Sequence, residues 1–353
     1  MTSAPSAASA PSGARSGTGR QETAPSQPGP GQGPADGLPL LHVPDTADTA
    51  TWIGEQRDEL RAALLDHGAV MVRGLGIADP ADVGGALRQL GAVPLTEREA
   101  FAPREAYSEG VYSSTTWPPN QPMCMHHELS YTTEFPSLML FGCITPPTAG
   151  GATTVADAAA VLDALPAGLT ERFEREGWLL TRTYGNDIGA SLTEAFGSED
   201  RDAVERHCRA HAIACEWLPD GTLRTRQRRS AVLRHPDTGH RCWFNQIAFL
   251  NEWTLDPAIR EYLVDEYGPE GLPFNTHYGN GDPLDQDTVR VINEVYEAHT
   301  VRRPWEAGDL LLVDNLRTAH AREAFQGPRR VVVALADPRR AADCEPTIEV
   351  TLP

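Results

Sequence analysis

Trp305-Glu306-Ala307-Gly308-Asp309-Leu310-Leu311-Leu312-Val313-Asp314-Asn315-Leu316-Arg317-Thr318-Ala319-His320, continued after a short loop by Gly327-Pro328-Arg329-Arg330-Val331-Val332-Val333-Ala334, sets the architecture of this chain. Glu306-Ala307-Gly308-Asp309 has turn composition, and the apolar run 310–313 behind it reads as a buried strand. Gly327-Pro328 then returns the chain into a second apolar run, 330–336. The two runs read as a hairpin with His320 at the end of one strand and an arginine at the start of the next. That placement suits a metal ligand beside an anion-binding guanidinium. A hairpin with ordinary polar ends is the plainer reading, and this stretch alone does not choose between them.

The same grammar extends upstream. Apolar or alternating runs predict strands at 69–72, 137–144, 153–155, 178–184, 223–228 and 242–249, separated by turns such as Pro146–Gly151 and His235–Gly239. Helical spacing predicts helices at 52–66 (stopped by Gly68), about 80–90, 158–165, 202–212, 257–266 and 288–299. Many short strands interrupted by helices predict an α+β fold, a double-stranded β-helix or jelly-roll core buttressed by helices. Residues 1–36, mostly Ser, Ala, Pro, Gly and Gln, predict a disordered tail. No repeat and no convincing linker follows, so 37–353 reads as one domain.

Bulk properties narrow the partners. With 40% hydrophobic and 22% charged residues the chain has an ordinary globular composition. A net charge of −19 argues against nucleic acid or an anionic membrane surface, which call for a basic face. No apolar run reaches the roughly 20 residues that span a bilayer, and the first residues lack a signal-like apolar segment. A cytoplasmic location is therefore the expectation. The cysteines 124, 143, 208, 215, 242 and 344 show no C-x-x-C spacing, so free thiols are expected. Every basic residue is an arginine, so an anionic ligand must be gripped by Arg, His or backbone N–H groups.

Met125-His126-His127-Glu128-Leu129-Ser130-Tyr131 is the candidate chemical centre. Two imidazoles and one carboxylate on one face of an iron leave half its coordination sphere open, as non-haem oxygenases require. In extended chain, residues i and i+2 point the same way, so His126 and Glu128 can face one metal while His127 points elsewhere. The motif alone is weak, since about 1.5 H-x-[DE] matches are expected by chance at this composition. The other match, His235-x-Asp237, sits in turn composition, where Asp237 closes a turn. A third ligand has to come from elsewhere in the chain.

Taken together, His126-x-Glu128, the Gly150-Gly151-Ala152-Thr153 turn, and Asp314-Asn315 with His320 and Arg329-Arg330 resemble the taurine dioxygenase-type (TauD/TfdA) superfamily of Fe(II)/2-oxoglutarate oxygenases. The strings around Trp117–Tyr131, Leu223–Arg229, Trp243–Gln246 and Ala319–Ala334 are similar to its syringomycin-biosynthesis hydroxylase-like branch. The resemblance covers roughly residues 40–340 and implies a clavaminate synthase-like jelly roll. It implies His126, Glu128 and His320 as ligands of Fe(II), with 2-oxoglutarate and O2 as cosubstrates. Thr153 and one arginine of the Arg329-Arg330 pair would bind the far carboxylate of 2-oxoglutarate. Arg330 is preferred, because Val332 and Ala334 would then face the pocket with it; a one-residue shift of register exchanges it with Arg329.

Two departures from the branch stand out: His127 replaces its usual Asn, which leaves a ligand set using His127 open, and the extra arginine some relatives carry four residues past the anchor is Ala334. Glu128 fills the position that halogenases of this class leave to chloride, so hydroxylation is expected over halogenation. The resemblance implies an amino-acid-like small-molecule substrate in bacterial specialised-metabolite, antibiotic-type biosynthesis, free or presented by an acyl or peptidyl carrier domain. Desaturation, epoxidation and cyclisation are the alternative outcomes. A zinc hydrolase or lyase lacks an obvious general base here, and a non-catalytic jelly-roll binding protein is disfavoured by the intact triad. A homo-oligomer is among the expectations.

For substrate contacts the candidates are Tyr131, Arg226 and Asn245, with Gln246 beside the last. Trp117, Trp243 and Phe244 read more readily as core. Arg224, Arg226 and Arg228 alternate onto one strand face, either solvated or recognising an anion or an acidic carrier. His67, His207, His211, His277 and His299 read as surface or satisfied structural histidines without a carboxylate at ligand spacing.

Overall fold

In the computed structural model the described residues are 37–102, 104–185 and 189–352. They fall in one compact unit, and the tail expected over 1–36 lies outside them. Strand Leu310–Asp314 lies inside a seven-stranded sheet, antiparallel to Ala69–Arg73 on one side and to the central strand Glu134–Thr145 on the other. Arg330–Arg340 pairs with the far edge of Glu134–Thr145, so the two runs expected to form a hairpin are not neighbours. Between them the chain crosses to a second, three-stranded sheet, where Thr318–Arg322 sits between Met123–His126 and Thr153–Asp157. That crossing is the jelly-roll connection, and it lifts His320 off the large sheet.

Strand periodicity sorts the large sheet into two apolar faces. Leu311, Val313, Met139, Phe141, Val331, Val333 and Leu335 face the inner core. Leu310, Leu312, Leu138, Leu140, Val332, Ala334 and Ala336 pack on helices Arg57–His67 and Pro80–Gln89 through Leu60, Leu64, Val83, Ala86 and Leu87. Burial of both faces explains why these strands read as continuous apolar runs. Gly142 lets the second helix press close, since a Cβ there would stand 2.4 Å from Val83.

Several local expectations shift. The helix expected over 52–66 is two, Trp52–Glu55 and Arg57–His67, because Gln56 leaves helical geometry between them. Gly68 ends the second in a left-handed conformation. The strand expected over 242–249 is only Arg241–Trp243; beyond it Phe244, Ile247 and Phe249 enter the core from a loop. Strand Phe274–Tyr278, not foreseen, joins a four-stranded sheet with Trp178–Tyr184, Leu223–Arg229 and Ile213–Trp217. The six cysteines are unpaired, and among the described residues no helix is long and apolar enough to cross a membrane.

Candidate metal centre

Pairing in the small sheet brings the histidines together. His320 stands directly opposite His126 across the ladder, with ring centroids 4.3 Å apart. Arg322, two residues on, pairs with Thr153 on the other neighbour. Glu128 lies in the turn that follows His126, where Leu129 takes a left-handed φ of 53°, a costly conformation for a branched side chain. One ligand atom from each of His126, Glu128 and His320 falls within 4.8 Å of the others, and all three residues are buried. His320 Nε2 is 3.8 Å from Glu128 Oε2, too far for a hydrogen bond and close enough for both to share an ion.

The imidazoles are prepared as neutral donors. Burial holds both His126 and His320 below the ordinary imidazole value, and the neighbouring imidazoles and Arg104 push His320 further down. His126 Nδ1 is hydrogen-bonded to the Cys124 carbonyl at 2.8 Å, which leaves Nε2 with its lone pair free. Phe249 stacks on the His126 ring at 4.5 Å, and the His320 Nδ1 is buried without a hydrogen-bond partner. His127 is excluded from the set: its ring packs on Phe244, its Nδ1 reaches the Asn315 carbonyl at 2.6 Å, and burial pushes it down to about 4.

Residues to which the sequence alone assigned no role hold this turn in shape. Asn315 accepts from the Glu128 N–H at 2.8 Å and donates to the carbonyls of Glu128 and Pro136. Its neighbour Asp314 caps the turn at Leu316 and Arg317 and meets His235 Nε2 at 2.8 Å. It is His235, through Nδ1, that receives the turn N–H groups of Asp237 and Thr238, while Asp237 faces Arg339. Arg104, 24 residues upstream, places one guanidinium nitrogen 3.1–3.2 Å from both Glu128 oxygens and another 3.6 Å from Glu97. Burial works to lower the Arg104 pKa, but the two carboxylates outweigh it and keep the charge fixed.

The cosubstrate expectation needs a correction. Arg330 is exposed, whereas Arg329 lines the same cavity as the triad, together with Thr153, Phe141, Val331 and Val333. The cause is register: 331 and 333 face inward, and a bulge between Arg330 and Val331 precedes the regular ladder. The position four beyond the inward arginine is thus Val333, again apolar. Arg329 Nε donates to the Gly151 carbonyl at 2.9 Å and Nη2 to Thr153 Oγ1 at 3.3 Å. Gly151, at φ 71°, permits that approach, since a Cβ would stand 2.8 Å from Pro147 and Phe325. Arg329 has no carboxylate partner among the described residues; burial and repulsion from Arg322 push it down to about 10. A guanidinium so placed is a receptor for an anion. Arg322 is occupied with the carbonyls of Trp117, Pro118 and Gln121.

None of the three substrate candidates lines this cavity. Tyr131 is buried with its hydroxyl on the Glu99 carbonyl, and Asn245 spends its side chain on Ala231 and Ile247. Asn245 and Gln246 instead bond the main chain of His127, so their partners are backbone. Arg226 is exposed on the outer sheet face, flanked by Arg224, which pairs with Glu216 and Glu270, and by Arg228 on the Glu176 carbonyl. Contrary to expectation, His207 does meet a carboxylate: its Nε2 is 3.1 Å from Glu99.

Known proteins share this arrangement's frame. Residues 35–335 match the model of the taurine catabolism dioxygenase TauD, TfdA family. The chain is 33% identical over 275 residues to the dapdiamide synthesis protein DdaC of Enterobacter agglomerans, covering 78% of this chain and 84% of that one. It is 28% identical over 308 residues to a clavaminate synthase-like protein of Arabidopsis thaliana, covering 84% and 89%. A putative alpha-ketoglutarate-dependent taurine dioxygenase from Burkholderia xenovorans has the same fold, with a TM-score of 0.50, 16% identity, and coverage of 88% and 91%. The chain belongs to the TauD/TfdA family and is a non-haem Fe(II)/2-oxoglutarate-dependent dioxygenase.

Proposed function

We propose that this dioxygenase hydroxylates an unactivated C–H bond of an amino acid, free or tethered to a carrier domain, in bacterial specialised-metabolite biosynthesis. In this reading His126, Glu128 and His320 hold the iron, and Arg329 with Thr153 grips the far carboxylate of 2-oxoglutarate. The observation that carries it is one cavity lined both by the triad and by Thr153 and Arg329, an arginine with no carboxylate partner among the described residues. The donor set fits Fe(II): two imidazoles that burial holds neutral and one carboxylate, with His320 Nε2 standing 3.8 Å from Glu128 Oε2, beyond hydrogen-bond reach. When bound, Fe(II) and 2-oxoglutarate supply the activation of O2 that yields succinate, CO2 and an oxidised substrate.

The chain's own residues do the positioning. Asn315 fixes the Glu128 backbone, and Arg104 holds its carboxylate through one guanidinium nitrogen that reaches both oxygens. Arg329 and Thr153 orient the dianion, and Phe141, Val331 and Val333 supply the apolar part of the cavity wall. Glu128 occupies the ligand position that a halide would need, which supports hydroxylation over halogenation. Similarity to a dapdiamide synthesis protein supports a biosynthetic role.

The test is succinate release coupled to product mass, across free amino acids and carrier-bound aminoacyl thioesters. The expected result is substrate-dependent succinate with one added oxygen atom in the product. Loss of two hydrogens would replace hydroxylation by desaturation or ring closure. Failure of every aminoacyl compound to stimulate succinate release would overturn the substrate class.

A further inference from the structure

The helix Arg201–Ala210 carries His207 in its last turn and His211 at its C-cap, four residues apart and hence on one face. Opposite them stands Glu99, 2% exposed, in a loop where it takes a left-handed φ of 57°. One ligand atom from each of the three lies within 4.8 Å of the others, a cluster that contributes nothing to the dioxygenase cavity. We propose that Glu99, His207 and His211 form a second metal site, for a divalent ion of the zinc class.

The donor chemistry is prearranged. His211 Nδ1 donates to the His207 carbonyl at 2.9 Å, the outer contact that typically orients a metal-bound imidazole, and this leaves Nε2 free. His207 turns Nε2 toward Glu99 Oε1 at 3.1 Å. The other carboxylate oxygen is held by Gln227 at 3.2 Å, so Glu99 offers a single oxygen to an ion. Burial works to raise the Glu99 pKa, but His207, Arg229 and Gln227 outweigh it, so the carboxylate is charged. Both histidines are only partly buried, so an ion can enter and water can complete its shell. Two imidazoles, one carboxylate and open positions make a donor set that zinc accepts. The Glu99–His207 contact and the His211 Nδ1 bond to the helix end still leave His211 Nε2, on the ring stacked against His207 at 4.1 Å, without a hydrogen bond among the described residues.

The site is wired to the turn that carries Glu128. The Glu99 carbonyl accepts from Tyr131 Oη at 2.9 Å and from Arg182 at 2.8 Å, and Gln227 bridges the Glu99 carboxylate to the Tyr131 carbonyl. An ion here braces the segment three residues beyond Glu128.

The experiment is a Zn(II) titration of the chelator-stripped full chain against a chromogenic chelator, with Co(II) absorption as an independent readout of coordination. Wild type is expected to bind two equivalents. His207→Ala/His211→Ala should bind one and keep succinate formation when loaded with Fe(II). His126→Ala/His320→Ala should also bind one, now with a Co(II) spectrum from Glu99, His207 and His211 alone. The proposal is overturned if His207→Ala/His211→Ala binds as much zinc as wild type, or if His126→Ala/His320→Ala binds none. Should the double alanine chain misfold, His211→Gln, a nearly isosteric change at a helix end, must still lose the second equivalent.

Discussion

Arg329 and Arg330 are adjacent, identical in chemistry and opposite in direction, so exchanging either for alanine isolates what direction is worth. Burial and repulsion from Arg322 push the Arg329 guanidinium down to about 10, so holding its charge there costs on the order of a few kcal/mol, at about 1.4 kcal/mol per tenfold. A bound carboxylate would return that energy and add charge-assisted hydrogen bonds. Arg329→Ala should therefore weaken 2-oxoglutarate binding by about 100-fold or more, consistent with the roughly 2–5 kcal/mol lost when one partner of a buried ion pair is truncated. Arg330 is exposed, and its removal should change affinity by less than about threefold, as surface substitutions stay within ~0.5 kcal/mol. Arg329→Lys keeps charge without the planar fork and should fall between. The assay is anaerobic titration of the Fe(II) protein with 2-oxoglutarate, followed by the visible charge-transfer band. A larger loss for Arg330→Ala than for Arg329→Ala would refute both the register and the anchor.

Three further outcomes follow from the same geometry. Gly151→Ala forces a left-handed residue against Pro147 and Phe325; it should cost about 1–3 kcal/mol in a urea melt and weaken 2-oxoglutarate binding through Arg329. Asn315→Ala leaves the Glu128 N–H and two carbonyls without their partner, and Fe(II) affinity measured by chelator competition should fall by about 10–100-fold. An unchanged affinity would mean that the turn holds its shape without it. Tyr131→Phe removes one hydrogen bond to Glu99 and should lower stability by about 1 kcal/mol, with substrate KM unchanged; a selective rise in KM would return Tyr131 to the substrate site.

Local pattern was enough to read the α+β jelly roll, most strands and helices, and His126, Glu128 and His320 as candidates. Those signals live in a few consecutive residues: apolar periodicity, Gly and Pro turns, a His-x-Glu triplet, a histidine between two apolar runs. Partnership did not live there. Whether Leu310–Asp314 neighbours Arg330–Arg340 depends on a strand from 134–145 inserting between them, and no pattern within either run encodes that. Which of two arginines faces inward turned on the phase of a ladder interrupted by a bulge, where a one-residue slip inverts every side chain. Arg104 on Glu128, Asn315 on the Glu128 backbone and Glu99 beside His207 join residues 24, 187 and 108 positions apart. Sequence spacing supplies the chemical types; only packing brings distant polar groups to within about 3.2 Å and removes the water that would have screened them.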